Sequence, residues 1–214
     1  MVDACAVLDA VRGPARGNLA ATAGAAAVLA DVTSGAPSLV FSSVTRREIG
    51  DHLDGAEIEL HGYLAKHERD AVTVNDLCPL LGVPTMALGV AAWSTTLPAL
   101  TAKIATELVT AGLHIDHDDA RSKRAGDRVL QKRAPAATKG EFKDAILVEE
   151  MVELAGKLRR GGFATPIVLL TSNFKDFCAP RSKALHPELA AEFTPLGVAL
   201  SLNWAHARHL SRRS

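Results

Sequence analysis

Cysteine is scarce in this chain, and the three residues present cannot form a framework. Cys5, Cys78 and Cys178 are odd in number, far apart and without a Cys-x-x-Cys pair, which argues against a zinc site or a disulfide scaffold. Aromatic residues amount to only 4%, so Ala, Leu and Val must do most of the packing; helices laid against a sheet suit that composition better than an aromatic-rich β-sandwich. Nowhere do 18 apolar residues follow one another, so no membrane span is expected. The first residues also lack the basic start and long apolar run of a signal peptide. These absences together point to a soluble, reduced, cytoplasmic protein. Net charge is absent too: 24 Lys and Arg balance 24 Asp and Glu, and the total names no polyanionic partner. Neither a G-x-S-x-G elbow nor a G-x-x-x-x-G-K-[ST] phosphate loop occurs, which weighs against an α/β-hydrolase-like or phosphatase-like enzyme.

What is present is a 214-residue chain, 48% apolar, long enough for one large domain with a substantial core. A very short apolar run reaches Asp3 almost at once. Residues 17–33 are Ala-rich and read as a helix, and Ser38–Ser43 (SLVFSS) reads as a strand. Thr45 is a plausible N-cap for a helix continuing past Gly55 towards Arg69. Between 73 and 138 the pattern is helical but interrupted by Pro79, Pro84 and Pro98, with 99–113 amphipathic. Lys143–Arg160 reads as a helix ended by Gly161 and Gly162. Pro166–Thr171 (PIVLLT) is apolar on both faces, as a central parallel strand should be, and Gly197–Leu202 suits an edge strand. Strands alternating with helices give the grammar of a parallel sheet covered on both faces, whose ligands sit beyond the carboxyl ends of the strands.

Four acids occupy such ends: Asp3 after the first apolar run, Glu48 one helical turn beyond SLVFSS, Asp144 opening a helix, and Asp176 after PIVLLT. Each has an ordinary reading as a terminus, an exposed helix charge, a helix-dipole partner or a loop cap. Their shared placement favours a common site. Four carboxylates brought together repel one another unless a divalent cation neutralises them, and hard oxygen ligands select Mg²⁺ or Mn²⁺. The runs V-D-A-C-A-V-L-D at 2–9, S-x-x-T-R-R-E at 42–48, K-D-A-I at 143–146 and T-S-N-F-K-D-F at 171–177 resemble the PIN-domain family. The resemblance implies a three-layer α/β/α fold with a central parallel sheet, here a single domain over 1–214 with a helical insertion at about 73–138. It also implies a metal-binding and catalytic quartet of Asp3, Glu48, Asp144 and Asp176, with Thr171 and Asn173 shaping the same loop. Its chemistry is Mg²⁺- or Mn²⁺-dependent hydrolysis of RNA, in toxin-type or RNA-processing roles, often as a homodimer and, for toxins, with an antitoxin partner. Only Met1 and Val2 precede Asp3, so the first strand is very short or starts upstream. A catalytically silent PIN-fold module that binds RNA or serves as a scaffold is the alternative.

Eight basic residues lie between Arg121 and Lys143, opposed locally only by Asp127 and Glu141. Arg121, Arg124, Lys139 and Lys143 are the candidates for holding an RNA backbone, against the plainer reading of a solvated helix and loop. The run His114–Asp119 has the composition of a metal site, but consecutive residues cannot all face one ion, and a helix end or loop fits better. Glu149 reads as a surface charge or an auxiliary ligand. Ser42, Ser43 and Thr45 suit turns and caps at least as well as phosphate contacts. The basic tail Trp204–Arg213 either packs as a terminal helix or touches nucleic acid.

Overall fold

The computed structural model describes residues 1–85, 90–137 and 141–212. It is mixed α/β and mostly helical. In chain order the principal elements are α1 (Ala4–Arg12), α2 (Leu19–Thr33), β1 (Val40–Phe41), α3 (Thr45–Leu77), α4 (Val90–Ala111), β2 (Leu113–His114) and α5 (Asp119–Leu130). There follow α6 (Phe142–Arg160), β3 (Ile167–Leu170), α7 (Phe174–Phe177), α8 (Pro187–Phe193), β4 (Val198–Ser201) and α9 (Trp204–Ser211).

The sheet expected at the centre appears as two short parallel ribbons, β1 with β2 and β3 with β4. Val2 forms parallel bridges to both Phe41 and Leu170. The Val2 amide donates to Val40 O (2.8 Å), Asp3 N donates to Leu170 O (2.9 Å) and Leu170 N donates to Met1 O (2.9 Å). Residues 1–3 thus lie between the ribbons, with Asp3, Ser42 and Thr171 following the bridged positions at one common end. The strand expected over Ser38–Ser43 shortens to Val40–Phe41.

Period-two alternation decides what each strand covers. On β3, Leu170 and Val168 pack into one apolar cluster, built on α1, α2, α4 and Trp204; Ile167 and Leu169 pack into another, built on α6, Phe177, Leu189 and Phe193. α1 is the hub of the first cluster, with Ala4, Ala6, Val7, Leu8, Ala10 and Val11 all buried. The alanines of α2 make a flat surface for α9: at Gly24 a Cβ would lie 2.7 Å from Trp204 Cβ, so only glycine permits that approach. Trp204 is buried, its Nε1 donates to Ala6 O (3.0 Å), and Arg208 and Arg212 pair with Asp31 on α2. The described part of the basic tail therefore packs as a terminal helix.

The middle of the chain differs from its expected division. α3 runs without a break through Gly55 to Leu77, 33 residues in all. α4 continues through Pro98, because Leu97, Thr101, Ile104, Ala105 and Leu108 bury one helical stripe and hold the helix despite one missing donor. Within 73–138, α4 packs on α1, α2 and α3, and β2 pairs with β1, so these segments are built into the body. What does lack a core lies between 65 and 96: no side chain of described burial there is buried, and Val72, Val74, Leu77, Leu80 and Trp93 are exposed. Among the described residues no helix is long and apolar enough to cross a membrane.

Charge holds α5 and α8 to α6. Arg128, 2% exposed, pairs with Glu149 (2.8 Å) and Glu192 (2.6 Å) and donates to Ala134 O (2.7 Å). Arg133 also meets Glu192 (2.8 Å), and Arg124 meets Glu153 (2.6 Å). A buried guanidinium with three acceptors is costly to remove, since two carboxylates lose their counter-charge. Arg128→Met should lower stability by about 2–4 kcal/mol in urea denaturation. An effect under ~0.5 kcal/mol would mean that the network is ornamental.

Candidate functional site

The bridge register sets Asp3 between Ser42 and Thr171 at the carboxyl end of the strands. Asp3 is the N-cap residue of α1, with extended backbone, yet its carboxylate makes no capping hydrogen bond. That removes the ordinary explanation for an Asp in this place. The side chain is 6% exposed and turns towards β3 instead: Thr171 Oγ1 donates to Asp3 Oδ2 (2.7 Å), as does Cys5 Sγ (2.7 Å). Asp118 makes the contrast, because it accepts from Ala120 N and Arg121 N and is an ordinary cap of α5.

One short loop orients two acids. Thr171 Oγ1 holds Asp3 and accepts from Asn173 N (3.0 Å), while Asn173 Nδ2 donates to Asp144 Oδ2 (2.9 Å). Asp144 lies in the first turn of α6, one and a half turns before the buried Glu150. Asp176 lies within the single turn of α7, half-buried. Glu48 lies in the first turn of α3, with Lys143 Nζ 3.7 Å away.

Electrostatics tie these residues together. The Asp144 carboxyl is pushed up to about 8, first by burial and then by the charges of Asp3, Asp176, Glu48 and Glu141. Burial also raises Glu48 above its ordinary value; Lys143 opposes that shift, and Asp3 adds to it. Asp144 thus lies within the electrostatic reach of the other three acids expected from the sequence, and Glu48 within that of Asp3. Asp3, Glu48 and Asp144 are each drawn to a partner of their own, and among the described residues no three Asp, Glu, His or Cys side chains close on a common point as they stand. The donor chemistry is all hard oxygen, the kind that suits Mg²⁺ or Mn²⁺.

Two residues were missed by sequence reasoning. Cys5 packs against Asp3, Thr171 and the amide of Ser172, which donates to its sulfur (3.2 Å); burial and the Asp3 carboxylate raise its thiol, keeping it a hydrogen-bond donor. Glu150, 1% exposed, accepts from Ser43 N (2.9 Å) and from Ser43 Oγ, pinning the loop that leads into the helix of Glu48. Cys5 stood two residues from Asp3 inside a quoted motif, so a signal existed. Glu150 had none, since its partner lies 107 positions away.

The basic run behaves differently from its sequence count. Arg121, with its side chain 13% exposed, stands 3.5 Å from Glu150, and Arg124 pairs with Glu149 and Glu153. Four of the eight basic residues, Arg121, Arg124, Arg128 and Arg133, are met in space by acids of α6 and α8. Glu149 is accordingly a partner of Arg124 and Arg128, neither a surface charge nor a member of the acid cluster. Lys143 reaches the cluster at Glu48; Lys139 lies outside the described residues. In the run from His114 to Asp119, His114 stacks on Phe41 and His117 pairs with Asp119, a helix entry rather than a metal site.

No family model matches this chain, nor does any curated protein or solved structure.

A carboxyl raised from its ordinary 3.8 to about 8 makes the fold bind a proton that the unfolded chain has released. Between those values the unfolded state holds fewer protons, so stability falls as pH rises from about 4 to 8. Asp144→Asn, whose side-chain oxygen still accepts from Asn173, should remove that decline and raise Tm at pH 8 in EDTA by several degrees. Parallel Tm–pH curves for the two proteins would refute the shift.

Proposed function

We propose that this chain is a Mg²⁺- or Mn²⁺-dependent ribonuclease of the PIN type, hydrolysing RNA phosphodiesters at the Asp3, Glu48, Asp144 and Asp176 cluster. The observation that carries the proposal is geometric: the single loop 171–173 holds both Asp3 and Asp144, with Asp176 just beyond it, and Asp3, Asp176 and Glu48 all raise the Asp144 carboxyl. The spatial sequence β2, β1, residues 1–3, β3, β4, all parallel with helices against both faces of β3, supports a three-layer PIN-like arrangement.

Asp3, Asp144 and Asp176 would hold the ion, and Glu48 would hold it or orient the attacking water. When bound, such an ion supplies the positive charge that makes water nucleophilic near neutral pH and offsets charge on the phosphate. The remaining work falls to the chain itself. Thr171 and Cys5 hold Oδ2 of Asp3, leaving Oδ1 without a donor among the described residues. Asn173 holds Oδ2 of Asp144 in the same way. Lys143, exposed and 3.7 Å from Glu48, meets a phosphate oxygen at the rim. Glu150 fixes the 42–44 loop and hence the start of α3, so that Glu48 is presented at constant reach.

The test is cleavage of single-stranded RNA, structured RNA and DNA with Mn²⁺, comparing wild type with Asp144→Asn and Asp176→Asn. Each substitution should lower cleavage by at least about 100-fold and abolish the rise in Tm that Mn²⁺ gives the wild type. RNA binding without cleavage in any metal would leave the silent binding module. Cleavage indifferent to both substitutions would move the active site elsewhere.

A further inference from the structure

A cavity of ≈ 340 Å³ opens beside the acid cluster, between the first turns of α2 and α9 and the outer face of α1. Its sides are small, Ala6 and Ala20 among them, and its polar groups are Asp9, Asn18, Ser172 and Asn203. A mostly apolar recess with a few convergent polar groups is the usual form of a small-molecule site, and this volume lies at the lower end of the range of about 300–1,000 Å³.

Its position relates it to the acids through single residues. Ser172 stands between Thr171, which holds Asp3, and Asn173, which holds Asp144. Ala6 lies one turn along α1 from Asp3. A ligand in the cavity is therefore a near neighbour of whatever the acids act on. The polar groups are not consumed by the fold. Asn18 is the N-cap residue of α2 but makes no capping bond; its backbone N–H donates to Gly13 O (2.8 Å), and its side-chain amide has no partner among the described residues. Asn203 uses Oδ1 to accept from His206 N (2.8 Å), which leaves its amide hydrogens to donate. Asp9 is held through Oδ1 by Arg12 Nε (2.8 Å), with Arg16 3.9 Å from the same oxygen, and its second oxygen remains an acceptor.

We infer that this cavity receives one nucleobase of a single-stranded RNA, next to the phosphate at the acid cluster; the inference rests on the nuclease reading above. A phosphate finds no Lys or Arg among the lining residues, whereas the edge of a base needs donors and acceptors set in an apolar slot. A carboxylate accepts only, so the best match is a base that presents adjacent N–H groups beside a carbonyl. Guanine has that edge: N1–H and N2–H₂ facing Asp9, and O6 facing an asparagine amide. The edge read in this way is the one that pairing with cytosine would cover, so the base must be unpaired and turned out of its strand.

The experiment titrates the full chain, in EDTA, with each of the four 5′-nucleoside monophosphates, followed by backbone amide NMR. Guanosine monophosphate should bind most tightly, with Kd on the order of 1 mM, and should move the amides of Ala6, Ser172 and Asn203. Ala20→Phe, which places a ring in the cavity from an exposed position, should weaken that binding by about tenfold or more. Asp9→Asn should bring guanosine monophosphate level with the other three. Binding with these properties but no RNA cleavage in any metal upholds the base site and removes the nuclease reading. Metal-dependent cleavage that is indifferent to base and to Ala20→Phe, with no mononucleotide shifts at the three amides, overturns the base site and leaves the nuclease reading standing. Equal shifts for all four mononucleotides that survive Ala20→Phe also overturn it.

Discussion

Repulsion among like charges is the constraint on which the strand ends depend. Asp3, Glu48, Asp144 and Asp176 arrive from four separate elements, and burial of Asp3, Asp144 and, in part, Glu48 removes solvent that would screen them. The protein restrains the arrangement with neutral donors: a hydroxyl, a thiol and an amide hold individual carboxylate oxygens without cancelling their charge. Neutral donors fix direction and leave the field negative, which a salt bridge at the same places would not do. A site prepared in this way retains its affinity for a cation or for a proton, and the high carboxyl value at Asp144 is the trace of that choice.

The other large concentration of charge follows the opposite rule. Arg121, Arg124, Arg128 and Arg133 meet Glu149, Glu150, Glu153 and Glu192 in full-charge pairs, several of them sheltered from water. Paired ions in a sheltered place add little net stability but make the register of packed helices hard to change. α6 belongs to both systems. Its first turn carries Asp144 to the strand ends, and its middle turns carry the acids that hold α5 and the β1–α3 loop. The geometry of the acid cluster is therefore set in part by ion pairs that lie outside it.

How far these features could be read beforehand depends on the separation of the partners. PIVLLT declares itself a strand because every position is apolar, and both of its faces are indeed covered. Asp3 and Asp176 could be suspected because one follows an apolar run directly and the other closes the loop after a strand. Residues 1–3 were too few to show any period, and their place between the two ribbons emerges only from bonds to Val40 and Leu170. The basic run misled because counting along the chain cannot see Glu192, which is 64 positions from Arg128. Pro98 misled because a local rule about proline is overridden by the buried stripe on either side of it. Lys139 falls outside the described residues, and its expectation stays where the sequence left it.

The long helix α3 has two different halves. As far as Leu64 it is moored by Ile49, Ala56, Leu60 and Leu64; beyond that point it continues for 13 residues to Leu77 with no side chain buried. A helical segment that buries no side chain gains little from packing and relies chiefly on its own ladder, which at that length is marginal in water. Amide protons there can exchange through local fraying, while those of α1 must wait for the whole body to open. The outer part of α3 can thus coil and re-form many times within the lifetime of a single folded molecule, and the acids at the strand ends need never register it.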